Sequence, residues 1–127
     1  MIAYASEKEK TGKSILVVDD DPFSREMLRI FIEKRGHSTD LADDGTDALA
    51  LLKSGRAYDL VISDINMPRM DGLTLLREIK KEAPGTRVIL VTGGSVKPVT
   101  GADAVIAKPI NFALLTRHVN TALCARQ

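Results

Sequence analysis

The chain has little of several features on which small proteins often depend. Its 127 residues include one cysteine and no tryptophan, and only 4% are aromatic. The single cysteine, Cys124, cannot form an internal disulfide, and the sequence offers it no companion metal ligands. The few aromatic rings and a net charge of +1 argue against nucleic-acid binding, which uses stacking rings or a basic face.

Long apolar runs are also missing. The longest aliphatic runs, Ile15–Val18 and Ala48–Leu52, are far shorter than the ~20 residues of a membrane-spanning helix. The polar N-terminal segment contains no apolar stretch of signal-peptide length. We therefore expect a cytoplasmic protein without a membrane segment, with residues 1–13 as a flexible leader and one domain over residues 14–125.

Strand-like and helix-like patterns alternate along the chain. After Pro22, for example, Phe23, Met27, Ile30 and Phe31 recur at helical spacing. Such alternation predicts βαβ units, and hence a parallel sheet of five strands with helices on both faces. The predicted strands are Ile15–Val18, Ser38–Ala42, Tyr58–Ser63, Arg87–Val91 and Val105–Ala107.

The last crossover departs from this pattern. Parallel crossovers usually contain a dozen or more residues, most of them helical. Here Gly93–Ala102 supplies ten residues, which include three glycines and Pro98. Because glycine and proline oppose a helix interior, we predict that the fourth helix is short or absent.

Polar side chains stand where the predicted strands end. Asp19 and Asp20 follow the first strand, Asp64 the third, Thr92 the fourth and Lys108 the fifth. In an open parallel sheet these ends face one crevice. A carboxylate-rich crevice without histidine or cysteine suits Mg²⁺, and the ion together with the lysine would neutralise a phosphoryl group. A carboxylate in such a site can act as nucleophile and form an aspartyl phosphate.

Four segments carry a family resemblance: ILVVDDDP (15–22), DLVISDINMPRMDG (59–72), VILVT (88–92) and AKP (107–109). In this order and spacing they resemble the receiver domain of bacterial two-component response regulators. The resemblance implies a flavodoxin-like, doubly wound (βα)₅ fold. It also implies that Asp64 accepts a phosphoryl group from a histidine kinase or phosphotransfer protein and switches a surface that binds a downstream protein. Such a domain is a signalling protein and not an enzyme, although it loses its phosphoryl group slowly.

The resemblance further implies a role for each site residue. The Mg²⁺ ligands would be Asp19, Asp20, Asp64 and the backbone carbonyl of Asn66. The groups that contact the phosphoryl oxygens would be Thr92, Gly93, Lys108 and Asn66. Thr92 would be the switch hydroxyl, and the Lys108–Pro109 peptide bond would be cis.

Simpler interpretations of these residues stay open. Asp19 and Asp20 could simply be polar residues at a solvated strand end. Asp64 could be a turn residue, and Lys108 could be an ordinary surface charge. Thr92 fits an ordinary strand terminus. Asp21, by contrast, we interpret as the cap of the helix that begins at Pro22, since aspartate is favoured at that position.

Two alternative functions compete with phosphorylation. The first is a receiver-like adaptor that binds partners without being phosphorylated. It stays open because the last crossover is altered. Val105 stands where family members often carry an aromatic switch residue, so the usual coupling to Thr92 is in doubt, and we expect signalling to pass through the loop Gly93–Ala102 instead of a helix. The second is a phosphatase with an Asp19-x-Asp21 nucleophile motif. It is disfavoured because no Asp or Glu follows Lys108 to supply further metal ligands.

Overall fold

In the computed structural model, which describes residues 12–124, five strands alternate with four helices. The strands are β1 (Ser14–Val18), β2 (Ser38–Ala42), β3 (Leu60–Asp64), β4 (Arg87–Thr92) and β5 (Ala104–Ala107). The helices are α1 (Pro22–Glu33), α2 (Gly45–Lys53), α3 (Gly72–Glu82) and α4 (Phe112–Cys124). Most of the expected leader, residues 1–11, and the expected domain end at residue 125 lie outside the described residues.

All five strands belong to one parallel sheet in the order β2-β1-β3-β4-β5. The chain winds outward in one direction from β1 and in the other from β3, which is the doubly wound, flavodoxin-like order. The predicted fold class is therefore confirmed. Within residues 12–124, no helix combines the length and hydrophobicity needed to cross a membrane.

The sheet separates two apolar layers. Along β1, Ile15 and Val17 pack with α1 and α4, whereas Leu16 and Val18 pack with α2 and α3. All four side chains are buried. A strand covered on both faces needs apolar residues at every position, which explains why β1 is an unbroken aliphatic run.

An aspartate caps three of the four described helices. Asp21 accepts a hydrogen bond from the Ser24 amide at the start of α1. Asp44 and Asp71 do the same at the starts of α2 and α3. Each carboxylate satisfies an amide that has no partner in the first helical turn. The interpretation of Asp21 as a cap agrees with this geometry.

Helix α1 buries only part of the apolar set that recurs at helical spacing in its sequence, since Phe31 packs against the core and the other three residues do not. Leu28 and Ile32 are buried against the sheet. Phe23 is 72% exposed, and Met27 and Ile30 are also exposed. The helix carries two apolar stripes, and periodicity identifies a stripe without showing which one faces the core. An apolar surface is consequently left in solvent on α1.

The connection between β4 and β5 contains no helix, so the predicted loss of the fourth helix is confirmed. Its first residues are exposed, whereas Val99 and Ala102 pack on the layer that contains α2 and α3. At its end, the Asp103 amide donates to the Val88 carbonyl at 2.7 Å. The Asp103 carboxylate accepts from the Val88 amide at 2.8 Å. Asp103 thus extends the ladder between β4 and β5 and fixes the end of the loop.

Candidate functional site

The predicted site residues meet at the carboxyl edge of the sheet. Asp19 directly follows β1, Asp64 ends β3, Thr92 ends β4 and Lys108 directly follows β5. The register of the ladders aligns these ends, since Asp64 pairs with Val91 in the neighbouring strand. Parallel pairing therefore brings together residues that lie up to 89 positions apart in the chain.

Three carboxylates form the centre of the site. One oxygen from each of Asp19, Asp20 and Asp64 lies within 4.8 Å of the other two. Asp19 is 2% exposed and Asp64 is 7% exposed, whereas Asp20 faces solvent. Three converging oxygen donors without nitrogen or sulfur make a set that fits a hard divalent cation such as Mg²⁺.

Lys108 supplies the positive charge beside these carboxylates. Its Nζ donates to Asp64 Oδ2 at 3.0 Å and lies 3.4 Å from Asp19 Oδ2. The ammonium thus contacts both buried carboxylates. One ammonium cannot balance three carboxylates, so the site keeps an excess of negative charge that a divalent cation would offset. The Lys108–Pro109 peptide bond is cis, as the sequence resemblance implied.

The pKa of Asp64 is raised above its ordinary value. Burial is the main cause, and the charges of Asp19 and Asp20 act in the same direction, while Lys108 opposes them. For Lys108, burial lowers the pKa, but the hydrogen bond to Asp64 and the two buried carboxylates outweigh it, so its pKa is raised. Lys108 therefore stays positively charged at neutral pH.

Asp19 is oriented by groups that the sequence analysis did not assign to the site. The Asp21 amide donates to Asp19 Oδ1 at 2.9 Å. Arg25 donates to the Asp19 backbone carbonyl at 2.7 Å and lies 3.4 Å from Asp43. The sequence hint for this contact was Arg25, a basic residue one turn into the helix that follows the acidic run. Such an arrangement is common on protein surfaces, so it does not by itself identify a site residue.

Thr92, Gly93 and Asn66 stand at or just past the carboxyl ends of β4 and β3. The Thr92 side chain is buried, and its Oγ1 accepts a hydrogen bond from the Gly94 amide at 3.0 Å. Because the hydroxyl is the acceptor in this bond, its hydrogen can still be donated to a phosphoryl oxygen. Gly93 and Asn66 are exposed, Gly93 next to Thr92 and Asn66 two residues past Asp64.

Gly72 is a further residue on which the site depends. A Cβ at this position would overlap the Asp64 carbonyl oxygen and lie 2.8 Å from the Ile65 Cα. The Gly72 amide donates to the Ile65 carbonyl at 2.7 Å and closes the loop between β3 and α3. The close approach of Gly72 to Asp64 appears only in the folded structure.

Comparison with known proteins gives one consistent family. The profile of the response regulator receiver domain matches residues 15–120. The chain is 36% identical over 107 residues to the sensor histidine kinase RcsC of Salmonella typhimurium. This match covers 80% of the chain and 11% of RcsC. The chain is also 35% identical over 115 residues to the transcriptional regulatory protein GlrR of Escherichia coli. That match covers 86% of the chain and 26% of GlrR. The chain thus spans about a quarter or less of these two proteins.

Among solved structures, the response regulator TrrA of Thermotoga maritima, in complex with Mg²⁺–BeF, is similar with a TM-score of 0.80 and 38% identity. The match covers 87% of this chain and 99% of TrrA. A CheY-like receiver domain of Methanospirillum hungatei matches with a TM-score of 0.81 and 30% identity, over 89% of this chain and 94% of that one.

Replacing Asp64 with asparagine is expected to stabilise the protein at neutral pH when divalent cations are absent. The raised pKa means that the folded state favours the protonated carboxyl. That favourable contribution is fully present below the unfolded value near pH ~4 and is lost as the pH rises through the folded pKa. Asp64→Asn should therefore raise the free energy of unfolding at pH 7, and should raise it much less in acid.

Urea denaturation over a pH series measures this difference. The control Asp47→Asn changes an exposed carboxylate outside the cluster. An Asp64→Asn variant that is no more stable than wild type at pH 7 would contradict the assigned cost of the buried charge.

Replacing Gly72 with alanine is expected to destabilise the protein by about 1–3 kcal/mol, because the new methyl group overlaps backbone atoms of the site. Alanine is the better helix former, so helix propensity would act in the opposite direction. Gly85→Ala is the matched control, since a Cβ there meets no heavy atom within 4 Å. Denaturation of both variants tests the prediction, and equal stabilities would refute it.

Proposed function

The chain belongs to the response regulator receiver domain family, and on that basis we propose that Asp64 is the residue that becomes phosphorylated. One observation carries the proposal. Asp64 ends a central strand as a nearly buried carboxylate, with the Lys108 ammonium at 3.0 Å and two further carboxylates beside it. The receiver domain is proposed to span residues 14–125, and family membership supports a cytoplasmic location.

The proposed chemistry is transfer of a phosphoryl group from a phosphohistidine. A carboxylate oxygen of Asp64 attacks phosphorus, and the phosphorus–oxygen bond forms as the phosphorus–nitrogen bond breaks. The electron pair of the broken bond goes to the imidazole nitrogen, which takes up a proton. Because the attacking group is the ionised carboxylate, the raised pKa of Asp64 makes the reaction slower in acid.

The surrounding residues position and neutralise the phosphoryl group. Lys108 contacts Asp64 Oδ2 and faces the charge that the phosphoryl oxygens bring. The Thr92 hydroxyl has a hydrogen to donate, and Gly93 and Asn66 are exposed residues just past the ends of β4 and β3. Phosphoryl transfer depends mainly on such positioning and charge neutralisation, so these residues suffice without a separate acid or base.

Mg²⁺ is the proposed cofactor. The residues that would hold it are Asp19, Asp20 and Asp64 together with the backbone carbonyl of Asn66. When bound, the ion supplies positive charge that offsets the carboxylates and the phosphoryl oxygens. The similar TrrA protein, solved in complex with Mg²⁺–BeF, supports this assignment.

The proposed output is a change in binding to a downstream protein. The domain modifies itself and is not proposed to act as an enzyme on a separate substrate, although slow hydrolysis of its aspartyl phosphate is expected.

The Thr92 hydroxyl accepts a hydrogen bond from the Gly94 amide, so the exposed loop that starts at Gly93 is attached to the site through this hydrogen bond. We propose that this loop transmits the signal. The convergence of Asp19, Asp20 and Asp64 beside Lys108 favours phosphorylation over the adaptor alternative.

Phosphorylation is tested by mixing the metal-free protein with Mg²⁺ and acetyl phosphate and measuring intact mass. Wild type should gain the mass of one phosphoryl group, and Asp64→Asn should gain none because it lacks the nucleophile. The control Asp47→Asn should be labelled like wild type. Labelling of Asp64→Asn to the same extent would place the phosphoryl group elsewhere, and an unlabelled wild type would favour the adaptor.

An apolar surface beside the site fits the phosphodonor protein. This α1 surface consists of Phe23, Met27 and Ile30, all exposed. Phe23 and Met27 also line a cavity of about 240 Å³ whose other wall includes Lys108 and Ile110. Because Lys108 contacts Asp64, the cavity adjoins the reacting carboxylate. We propose that the histidine kinase or phosphotransfer protein docks on the α1 surface, where exposed apolar side chains can be covered.

Phe23→Ala is expected to slow phosphotransfer from a phosphorylated histidine phosphotransfer domain by about tenfold, the scale for a buried aromatic contact at an interface. Labelling by acetyl phosphate should be unchanged, since this small donor needs no docking surface. Leu41→Ala, which removes an exposed apolar side chain from β2, is the control for both assays. An equal loss with both donors would show that Phe23 acts on the site itself.

A further inference from the structure

Arg69 has a backbone conformation that its residue type rarely adopts. Among residues 12–124 it is the only residue other than glycine with a positive φ, at 69°. The Met70 amide donates to the Pro68 carbonyl at 2.8 Å, which closes a three-residue turn centred on Arg69. Turns of this kind with a positive central φ are uncommon and strained, and they persist only where surrounding contacts fix them.

The Arg69 side chain reaches another loop of the protein. Its Nε donates to Asp44 Oδ2 at 2.8 Å, and its Nη2 contacts the same oxygen. Asp44 is buried, and its other oxygen accepts from the Asp47 amide as the cap of α2. The carboxylate is therefore held rigidly by the helix, and the guanidinium is attached to a fixed point.

A second contact fastens the same loop to the same helix. A Cβ at Gly45, the first residue of α2, would lie 2.8 Å from the Met70 carbonyl oxygen and 2.9 Å from Met70 Cγ. Two consecutive loop residues, Arg69 and Met70, thus contact two consecutive residues at the start of α2. The β3–α3 loop is held at this point as well as at Gly72, where it closes against Asp64.

We propose that Arg69 is a positioning residue, whose ion pair with Asp44 fixes the β3–α3 loop and so places the backbone of Asn66 for Mg²⁺ binding beside Asp64. This inference rests on the proposed function. The three carboxylate ligands stand at strand ends, which the sheet holds in place, whereas Asn66 lies in an exposed part of the loop. A carbonyl ligand supplied by a loop depends on outside contacts for its position, and here these contacts come from α2.

The test compares two variants that break the ion pair from opposite sides. Arg69→Gly removes the guanidinium and accepts a positive φ without strain. Asp44→Asn removes the charge but keeps an oxygen to cap α2. Each should weaken Mg²⁺ binding to the otherwise unmodified protein by about tenfold, measured from amide chemical shifts during titration with the metal. The double variant should bind no more weakly than either single variant, since both remove one interaction.

A measurement without metal supplies an independent readout. Hydrogen exchange of the Met70 amide in metal-free protein should be faster in both variants, because the turn that it closes is no longer held. Arg69→Lys should bind Mg²⁺ more tightly than Arg69→Gly but more weakly than wild type. Lysine keeps the positive charge but lacks the planar guanidinium that donates two hydrogen bonds. Arg56→Gly is the control and should leave Mg²⁺ binding unchanged, because Arg56 is about as exposed as Arg69 but pairs with Asp40, outside the carboxylate cluster.

The outcomes separate this inference from the proposed function. Wild-type Mg²⁺ affinity in both single variants would overturn the positioning role, and so would additive losses in the double variant. If Arg69→Gly does not fold, Asp44→Asn decides the question by the same measurements. A wild-type protein that neither binds Mg²⁺ nor is labelled by acetyl phosphate would overturn the proposed function instead, and the positioning role with it.

Discussion

The ammonium of Lys108 contacts two buried carboxylates, and the rest of the site depends on this arrangement. Asp19 and Asp64 stand at the ends of adjacent strands and their charges repel each other, and burial further raises the free energy of ionised Asp64. Lys108 follows the edge strand β5, so its contacts link the edge of the sheet to its centre. Lys108 therefore reaches both carboxylates only when the strands are in this order and register.

The buried charges of the site lower the stability of the folded protein, and packing elsewhere in the molecule offsets this loss. The raised pKa of Asp64 shows that the folded protein resists ionisation of the carboxylate on which the chemistry depends. Two apolar layers, one on each face of the sheet, supply the opposing stabilisation. The charged groups thus lie at the carboxyl edge, where solvent and chain turns can accommodate a phosphoryl group. The centre of the sheet is left largely apolar.

The two loops beside the site differ in how many contacts hold them to the rest of the protein. The β3–α3 loop is tied to α2 through Arg69 and closes against Asp64 at Gly72. The β4–β5 loop is fixed at its end by Asp103, whereas its beginning is exposed and attached to Thr92 by a single hydrogen bond. A rigid loop suits the binding of a metal ion, and a weakly attached one suits a conformational response to phosphorylation.

Local signals determined the fold class and the central residues of the site. Aliphatic runs that stop abruptly at Asp19, Asp64 and Thr92 mark strand ends, and the glycines and Pro98 mark the missing helix, because each signal lies within a few consecutive residues. Tertiary structure decided which stripe of α1 faces solvent, which leaves Phe23 exposed. It also decided the contact of Arg69 with Asp44, 25 residues away. Such features depend on how elements pack against one another, and the periodicity of a single segment carries no information about its neighbour in space.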